Sequence, residues 1–185
     1  MKRIKPKKIQ PKVSIIMGSA NDAKIMQKTE KIIKEIKVKF TTHLVSAHRT
    51  PKRMFSWAEN LHKNYTVCIA AAGGSASLPS ITAALASIPV IGVPIETKKL
   101  NGLDSLLSWN CCPSGCPLAT MPIGEAGAVN AALFAAEIIA TFDDKIKFNL
   151  SQWKGKQTKS VKIKPKYMSK DITLGILYSG QLETQ

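Results

Sequence analysis

Short, largely apolar runs alternate along this chain with longer stretches in which apolar residues recur every three or four positions. Val13–Met17, Phe40–Val45, Thr66–Ala71 and Val90–Val93 are the short runs, each followed within two residues by a polar, Gly or Pro residue. Their length and density predict strands. Between them, Ala23–Ile36 sets Ile25, Met26, Ile32, Ile33 and Ile36 on one helical face, with lysines and glutamates elsewhere. Pro51–His62 opens on a proline suited to a first helical turn, and Pro79–Ala86 reads as a helix of small residues. Beyond Pro94 the pattern loosens. A polar loop over Glu96–Gly102 leads to a short helix over Leu103–Trp109, an irregular loop over Cys111–Pro117 and a strand over Leu118–Ile123. An alanine-rich helix follows over Glu125–Ala140, continued by Asp143–Trp153, and no internal repeat is present.

This alternation predicts an α/β fold: a three-layer, doubly wound, mainly parallel sheet of flavodoxin or Rossmann type. Right-handed crossovers bring the turns that follow parallel strands to one edge of the sheet. The turns at Ser19, His48 and Gly73 are therefore expected side by side, where such folds bind ligands.

Composition bounds what that edge serves. A chain of 185 residues with 44% hydrophobic content is long enough and apolar enough for a full core. The expected organisation is one domain over residues 13–158, with a basic N-terminal tail over 1–12 and an appendage over 159–185. No apolar stretch reaches the ~18 residues of a membrane span, and the lysine-rich start lacks an apolar leader core. The expected address is cytoplasmic, without a membrane partner. The net charge of +15 sits mostly at the ends, in Lys2, Arg3, Lys5, Lys7, Lys8 and Lys12 and in nine lysines between residues 145 and 170. Val13 to Ala140 carries twelve basic and eight acidic residues, too mild an excess to predict specific nucleic-acid binding. Cys68, Cys111, Cys112 and Cys116 read as reduced thiols.

The chemistry concentrates in the three turns. In Gly18-Ser-Ala-Asn-Asp22, Ser19 and Asn21 offer hydrogen bonds beside the free N–H groups of a helix start, a setting that favours an anion. Asp22 suits sugar hydroxyls rather than phosphate. Ser46-Ala-His-Arg-Thr-Pro51 packs a hydroxyl, an imidazole and a guanidinium into one strand-to-helix turn. A capped helix start accounts for any one of these residues, whereas the set can hold an anion and move a proton. Gly73-Gly74 lets backbone approach a ligand closely. Neither glycine turn completes a dinucleotide fingerprint, and no P-loop or His-Glu-x-x-His helix is present. The Cys111, Cys112 and Cys116 cluster lacks a second ligand pair for zinc. No cofactor and no metal are expected.

Read together in order, Met17-Gly-Ser-x-x-Asp22, Ser46-Ala-His-Arg-Thr-Pro51, Ala72-Gly-Gly74 with Leu78-Pro79, and Pro89-Val-Ile-Gly-Val-Pro94 form a specific series. Leu100-Asn-Gly-Leu-Asp-Ser-Leu-Leu107, Pro113-x-Gly-x-Pro117, Ile123-Gly124 and Asn130-Ala-Ala-Leu133 continue it. From about Val13 to about Thr158 the chain resembles the N5-carboxyaminoimidazole ribonucleotide mutases, catalytic subunits of bacterial phosphoribosylaminoimidazole carboxylase. The resemblance implies a ribonucleotide substrate and carboxylate transfer in purine synthesis, with His48 as the proton carrier. It implies that Ser19, Asn21, Asp22, Ser46, Ala47 and Arg49 hold the nucleotide. Gly73, Gly74, Ser75 and Leu78 would line the carboxylate pocket. It also implies a homo-octamer, with the loop Cys111–Pro117 and the alanine-rich helix as contact regions. Asn21 stands where the family usually has serine, and Ser77 and Ser80 stand where histidine and glycine are common. Thr173–Leu182 is similar to the first strand and glycine turn of the ATP-dependent synthetase that makes the mutase substrate; the resemblance implies that the appendage is a remnant of such a fused domain and that the synthetase is a pathway partner. A direct carboxylase using free carbon dioxide, and a non-catalytic nucleotide binder, remain as alternatives.

Overall fold

The computed structural model describes residues 11–74 and 77–163. Five strands, β1 (Lys12–Met17), β2 (Lys39–Leu44), β3 (Val67–Ala72), β4 (Val90–Pro94) and β5 (Ala119–Thr120), stand in the order β2-β1-β3-β4-β5. Every neighbouring pair is parallel. Val13 lies opposite Phe40 on one side and Val67 on the other, so β1 is the hinge of the strand order. The helices are α1 (Ala23–Ile36), α2 (Pro51–Asn60), α3 (Ser77–Leu85), α4 (Leu103–Asn110), α5 (Gly124–Ala140) and α6 (Asp144–Ser160). Helix α1 packs on α5, and α2 packs on α3. The chain divides after Ser151 into two units, and the described part of the second is helical as far as Ser160.

Sequence explains each layer. Strands β3 and β4 are buried throughout, as their unbroken apolar runs require. Strand β2, at the edge, is half exposed and carries Thr41, Thr42 and His43. Helix α1 turns Met26, Thr29, Ile32, Ile33 and Ile36 into the core. Thr29 is tolerated there because its hydroxyl donates to the Ala128 carbonyl of α5 at 2.8 Å. Helix α5 buries Gly127, Ala128, Ala131, Ala132, Ala135 and Ala136, small side chains that let α1 come close. A Cβ on Gly127 would collide with the Pro122 carbonyl oxygen, so that position admits only glycine. Next to β4, the fully buried Trp109 of α4 fills the space left by Gly92, where a Cβ would stand 2.9 Å from the indole.

Four details depart from the pattern-based expectation. Strand β5 keeps only two residues of the expected Leu118–Ile123 run, since Pro117 and Pro122 flank it and lack N–H donors. Helix α3 begins at Ser77, because Pro79 fits a first turn as well as a first residue. Helix α6 runs on to Ser160, past the expected Trp153. Ile25 is half-buried and turned to the ligand edge rather than to the core face of α1.

The strand order determines where that edge opens. From β1 the chain crosses one way to β2; from β2 it returns past β1 to β3. The turns after β1 and β3 therefore part company and leave a crevice between them, the usual ligand position in a doubly wound sheet.

Candidate active site

The turn after β1 is tied to itself. The Ser19 N–H donates to Asp22 Oδ2 at 3.0 Å, and the Asn21 N–H donates to Ser19 Oγ at 3.3 Å. This reciprocal cap holds a single 3-10 turn, Ala20–Asp22, ahead of α1. Asp22 is buried, and that burial raises its carboxyl above the usual 3.8. The Ser19 N–H and the Arg49 charge pull in the opposite direction.

The turn after β2 is tied in the same fashion. Ser46 Oγ accepts from the Arg49 N–H at 3.2 Å, and the Thr50 hydroxyl donates to the Ser46 carbonyl at 3.0 Å. The Ser46 N–H in turn donates to Thr50 Oγ1 at 3.0 Å. Pro51 then starts α2. Arg49 reaches across to the neighbouring turn, where its Nη2 donates to the Gly18 carbonyl at 2.9 Å. That bond locks the anion-type turn and the imidazole turn to one another. His48 is exposed on the crevice, with Nε2 3.5 Å from Ser77 Oγ at the start of α3.

The turn after β3 supplies the other wall. Gly74 has φ +73°, a left-handed backbone that glycine adopts without cost. Its N–H donates to Ser105 Oγ at 2.8 Å.

A cavity of about 890 Å3 lies among these turns. Ser19, Asn21, Asp22, Ser46, Ala47, His48, Arg49, Gly73 and Leu78 all line it. Gly74 stands behind the wall, bonded to Ser105, and Ser75 lies outside the described residues. Ser77, singled out as standing where histidine is common, also faces the cavity, as do Lys24, Ile25, Ile95, Glu96 and Glu125, which motif reading did not reach. Lys24 had a legible signal: a lysine in the first turn of a helix opposes the helix dipole and needs a reason. Glu96 and Glu125 come from beyond β4 and from α5, and nothing in their local sequence announces the cavity.

The other titratable groups are structural. His43 packs on Trp57 with ring centroids 4.2 Å apart, and burial and then the Lys12 charge lower its pKa. His62 is exposed, away from the cavity. Burial pushes the Cys68 thiol up to about 12, so it stays protonated at any physiological pH. All four cysteines are free. Among the described residues, no helix is long and apolar enough to cross a membrane.

A crevice lined by a guanidinium, seryl hydroxyls and an imidazole from the turns after β1 and β2, and by glycine backbone from the turn after β3, defines a doubly wound protein with a polar cleft at its switch point. Residues 12–160 match the AIR carboxylase family, and the chain belongs to that family. It is 49% identical over 145 residues to the N5-carboxyaminoimidazole ribonucleotide mutase of Bacillus subtilis (strain 168), covering 78% of this chain and 90% of that protein. The enzyme of the same name from Escherichia coli (strain K12) is 46% identical over 151 residues, 81% of this chain and 89% of its own. Among solved structures, the crystal structure of Treponema denticola PurE superimposes with a TM-score of 0.72 at 26% identity, over 80% of this chain and 92% of that one.

Proposed function

We propose that this chain is an N5-carboxyaminoimidazole ribonucleotide mutase of purine biosynthesis, converting that carbamate to 4-carboxy-5-aminoimidazole ribonucleotide. The observation that carries this reading is the match to mutases over about nine-tenths of their length, with His48 and Arg49 on one turn facing the same cavity as Gly73. Ser19, Asn21, Ser46 and Arg49 bind the ribonucleotide phosphate, Ala47 gives backbone contact, and Asp22 accepts from the ribose hydroxyls. Gly73 and Leu78 line the pocket for the migrating carboxylate, with Gly74 behind them; Ser75 is assigned there by the motif alone.

The reaction balances without a co-reactant. The bond between N5 and the carboxyl carbon breaks, releasing carbon dioxide, and the nitrogen takes a proton from His48. The enamine-like C4 of aminoimidazole ribonucleotide then attacks the carbon dioxide. A carbon–carbon bond forms, and the C4 proton returns to His48. One imidazole that both donates and accepts leaves no net proton change, and this side chain suits that task near neutral pH. The nucleotide turns act by holding C4 against the carbon dioxide long enough for recapture.

The wider setting belongs to the same reading. The protein works in the cytoplasm and takes its substrate from an ATP-dependent synthetase; the tail that suggested a fused remnant of that enzyme lies outside the described residues. The chain assembles as a homo-octamer. The alanine face of α5 is occupied by α1 of the same chain, which leaves the loop Cys111–Pro117 and the exposed row Leu100, Leu103 and Leu107 as contact regions. Light scattering of the purified protein tests this, and a monomer would overturn it.

A substrate comparison tests the function. N5-carboxyaminoimidazole ribonucleotide in bicarbonate-free buffer should be turned over rapidly, and aminoimidazole ribonucleotide with low bicarbonate slowly. Fast turnover of the second pair alone would replace the mutase reading with a direct carboxylase; turnover of neither would leave a nucleotide binder.

A further inference from the structure

We propose that Ser105 is a positioning residue that holds the Gly73-Gly74 turn closed over the carbon dioxide intermediate, an inference that rests on the mutase reading above. Ser105 lies in the first turn of α4, is wholly buried, and does not face the cavity. Its hydroxyl donates to the Ile95 carbonyl at 3.2 Å, at the end of β4, and accepts the Gly74 N–H at 2.8 Å. A hydroxyl has one hydrogen. With that hydrogen committed to Ile95, a lone pair is fixed in the direction of Gly74, and the bond has one sense.

Apart from its chain neighbours, no atom of the described residues lies within 4 Å of the point where a Gly74 Cβ would stand, whereas a Cβ on Gly73 would stand 3.5 Å from Thr97 Cγ2 and 3.6 Å from the Ile95 carbonyl oxygen. The start of α4, by contrast, is firmly seated. The Thr97 hydroxyl donates to Asp104 Oδ1 at 2.9 Å, and a Cβ on Gly102 would stand 2.6 Å from Ile123 Cγ2 and 3.2 Å from the Ile95 carbonyl. Ser105 thus transmits the position of a rigid helix start to Gly74, the glycine of the turn that is open on its Cβ side.

Carbon dioxide makes such a restraint matter. The nucleotide carries charge that Arg49 and the hydroxyls grip, whereas carbon dioxide is small and uncharged. It is retained by the shape of its pocket and the exclusion of water. A looser glycine turn therefore lets carbon dioxide escape while the nucleotide stays bound. Escape leaves aminoimidazole ribonucleotide and free carbon dioxide, the products of the first half-reaction alone.

The experiment follows the carboxylate. N5-carboxyaminoimidazole ribonucleotide radiolabelled in that group is given to the full chain, and label released as carbon dioxide is compared with label retained in product, after subtracting enzyme-free release. Ser105→Ala should raise the released-to-retained ratio about tenfold, the scale set by losing one buried hydrogen bond. The KM for the ribonucleotide should stay within about twofold, since the turns after β1 and β2 do not touch Ser105. Ser105→Cys, which keeps the volume and a weak acceptor, should fall between, and it stands in if Ser105→Ala does not fold. A role confined to folding would lower the total rate and leave the ratio unchanged. An unchanged ratio in the folded variants overturns the role of Ser105 while the mutase reading stands. A wild-type chain that retains no label in product overturns the mutase reading itself.

Discussion

On the wall of the cleft made by the turns after β1 and β2, most hydrogen bonds join residues two to four apart: Asn21 to Ser19, Ser19 to Asp22, and Ser46 to Arg49 and Thr50. On the wall after β3, Gly74 is held by Ser105 from another helix. The first wall is polar, exposed and self-capping, and presents a guanidinium and an imidazole. The second is backbone, uncharged, and held from behind. A charged nucleotide can be gripped by side chains that stay partly in water. A neutral gas molecule offers no such handle, and its wall has to work by position. On the proposed function, the difference between the walls matches the difference between the nucleotide and the carbon dioxide they would hold.

Breaking the first wall should have the largest effects. His48→Asn keeps a hydrogen-bonding side chain at the centre of the cleft but cannot carry the proton. It should lower kcat by about a thousandfold with nucleotide affinity little changed, read by steady-state kinetics alongside calorimetric binding. Arg49→Lys keeps the charge yet cannot both reach the Gly18 carbonyl and present a planar fork to an anion. It should raise KM about tenfold with kcat within about twofold.

The second wall should respond in stability as well as in retention of carbon dioxide. Gly74→Ala meets no neighbouring atom, so its cost is that of placing a side chain at φ +73°. That is about 1 kcal/mol, measurable as a lower urea midpoint at unchanged slope. A variant as stable as the parent would mean that the turn relaxes, and that Ser105 does not fix it.

The smallest effect sharpens the comparison from within the first wall. Burial holds the Asp22 carboxyl above its ordinary 3.8, so the folded chain binds that proton more tightly than the unfolded one. Stability from this group is present below pH 3.8 and is lost as pH rises through the folded pKa. Asp22→Asn removes the loss, because the amide does not ionise, and its oxygen can still accept from the Ser19 N–H. The variant should gain on the parent between that acid range and neutrality, read as the difference in urea midpoints. A difference that stays flat with pH would show that Asp22 carries no desolvation cost.

The same contrast governs what the sequence makes legible. The nucleotide wall is written in adjacent letters, Ser19 to Asp22 and Ser46 to Thr50, because its restraints act within one turn of chain. The sheet is legible as well, since strands buried on both faces admit few polar residues. Ser105 belongs to the Leu100–Leu107 motif, but its proposed task is not legible there, for it depends on Ile95 and Gly74, residues outside α4. Glu96 and Glu125 are hidden for the same reason. The shortness of β5 depends on where Pro117 and Pro122 fall against a neighbouring strand, which a local apolar run does not report.

Strand β1 stands between two parallel neighbours that flank it from later in the chain. The Ser19 turn meets the His48 turn only once β1 has paired with β2, and meets Gly73 only once β1 has paired with β3. Parallel pairings close long loops and form late, because loop-closure entropy is spent before contacts return it. A nascent or partly zipped chain therefore owns the letters of the cleft without owning the cleft. A ligand held by all three turns would therefore bind only the finished sheet, and its binding would stabilise the paired β2-β1-β3 half.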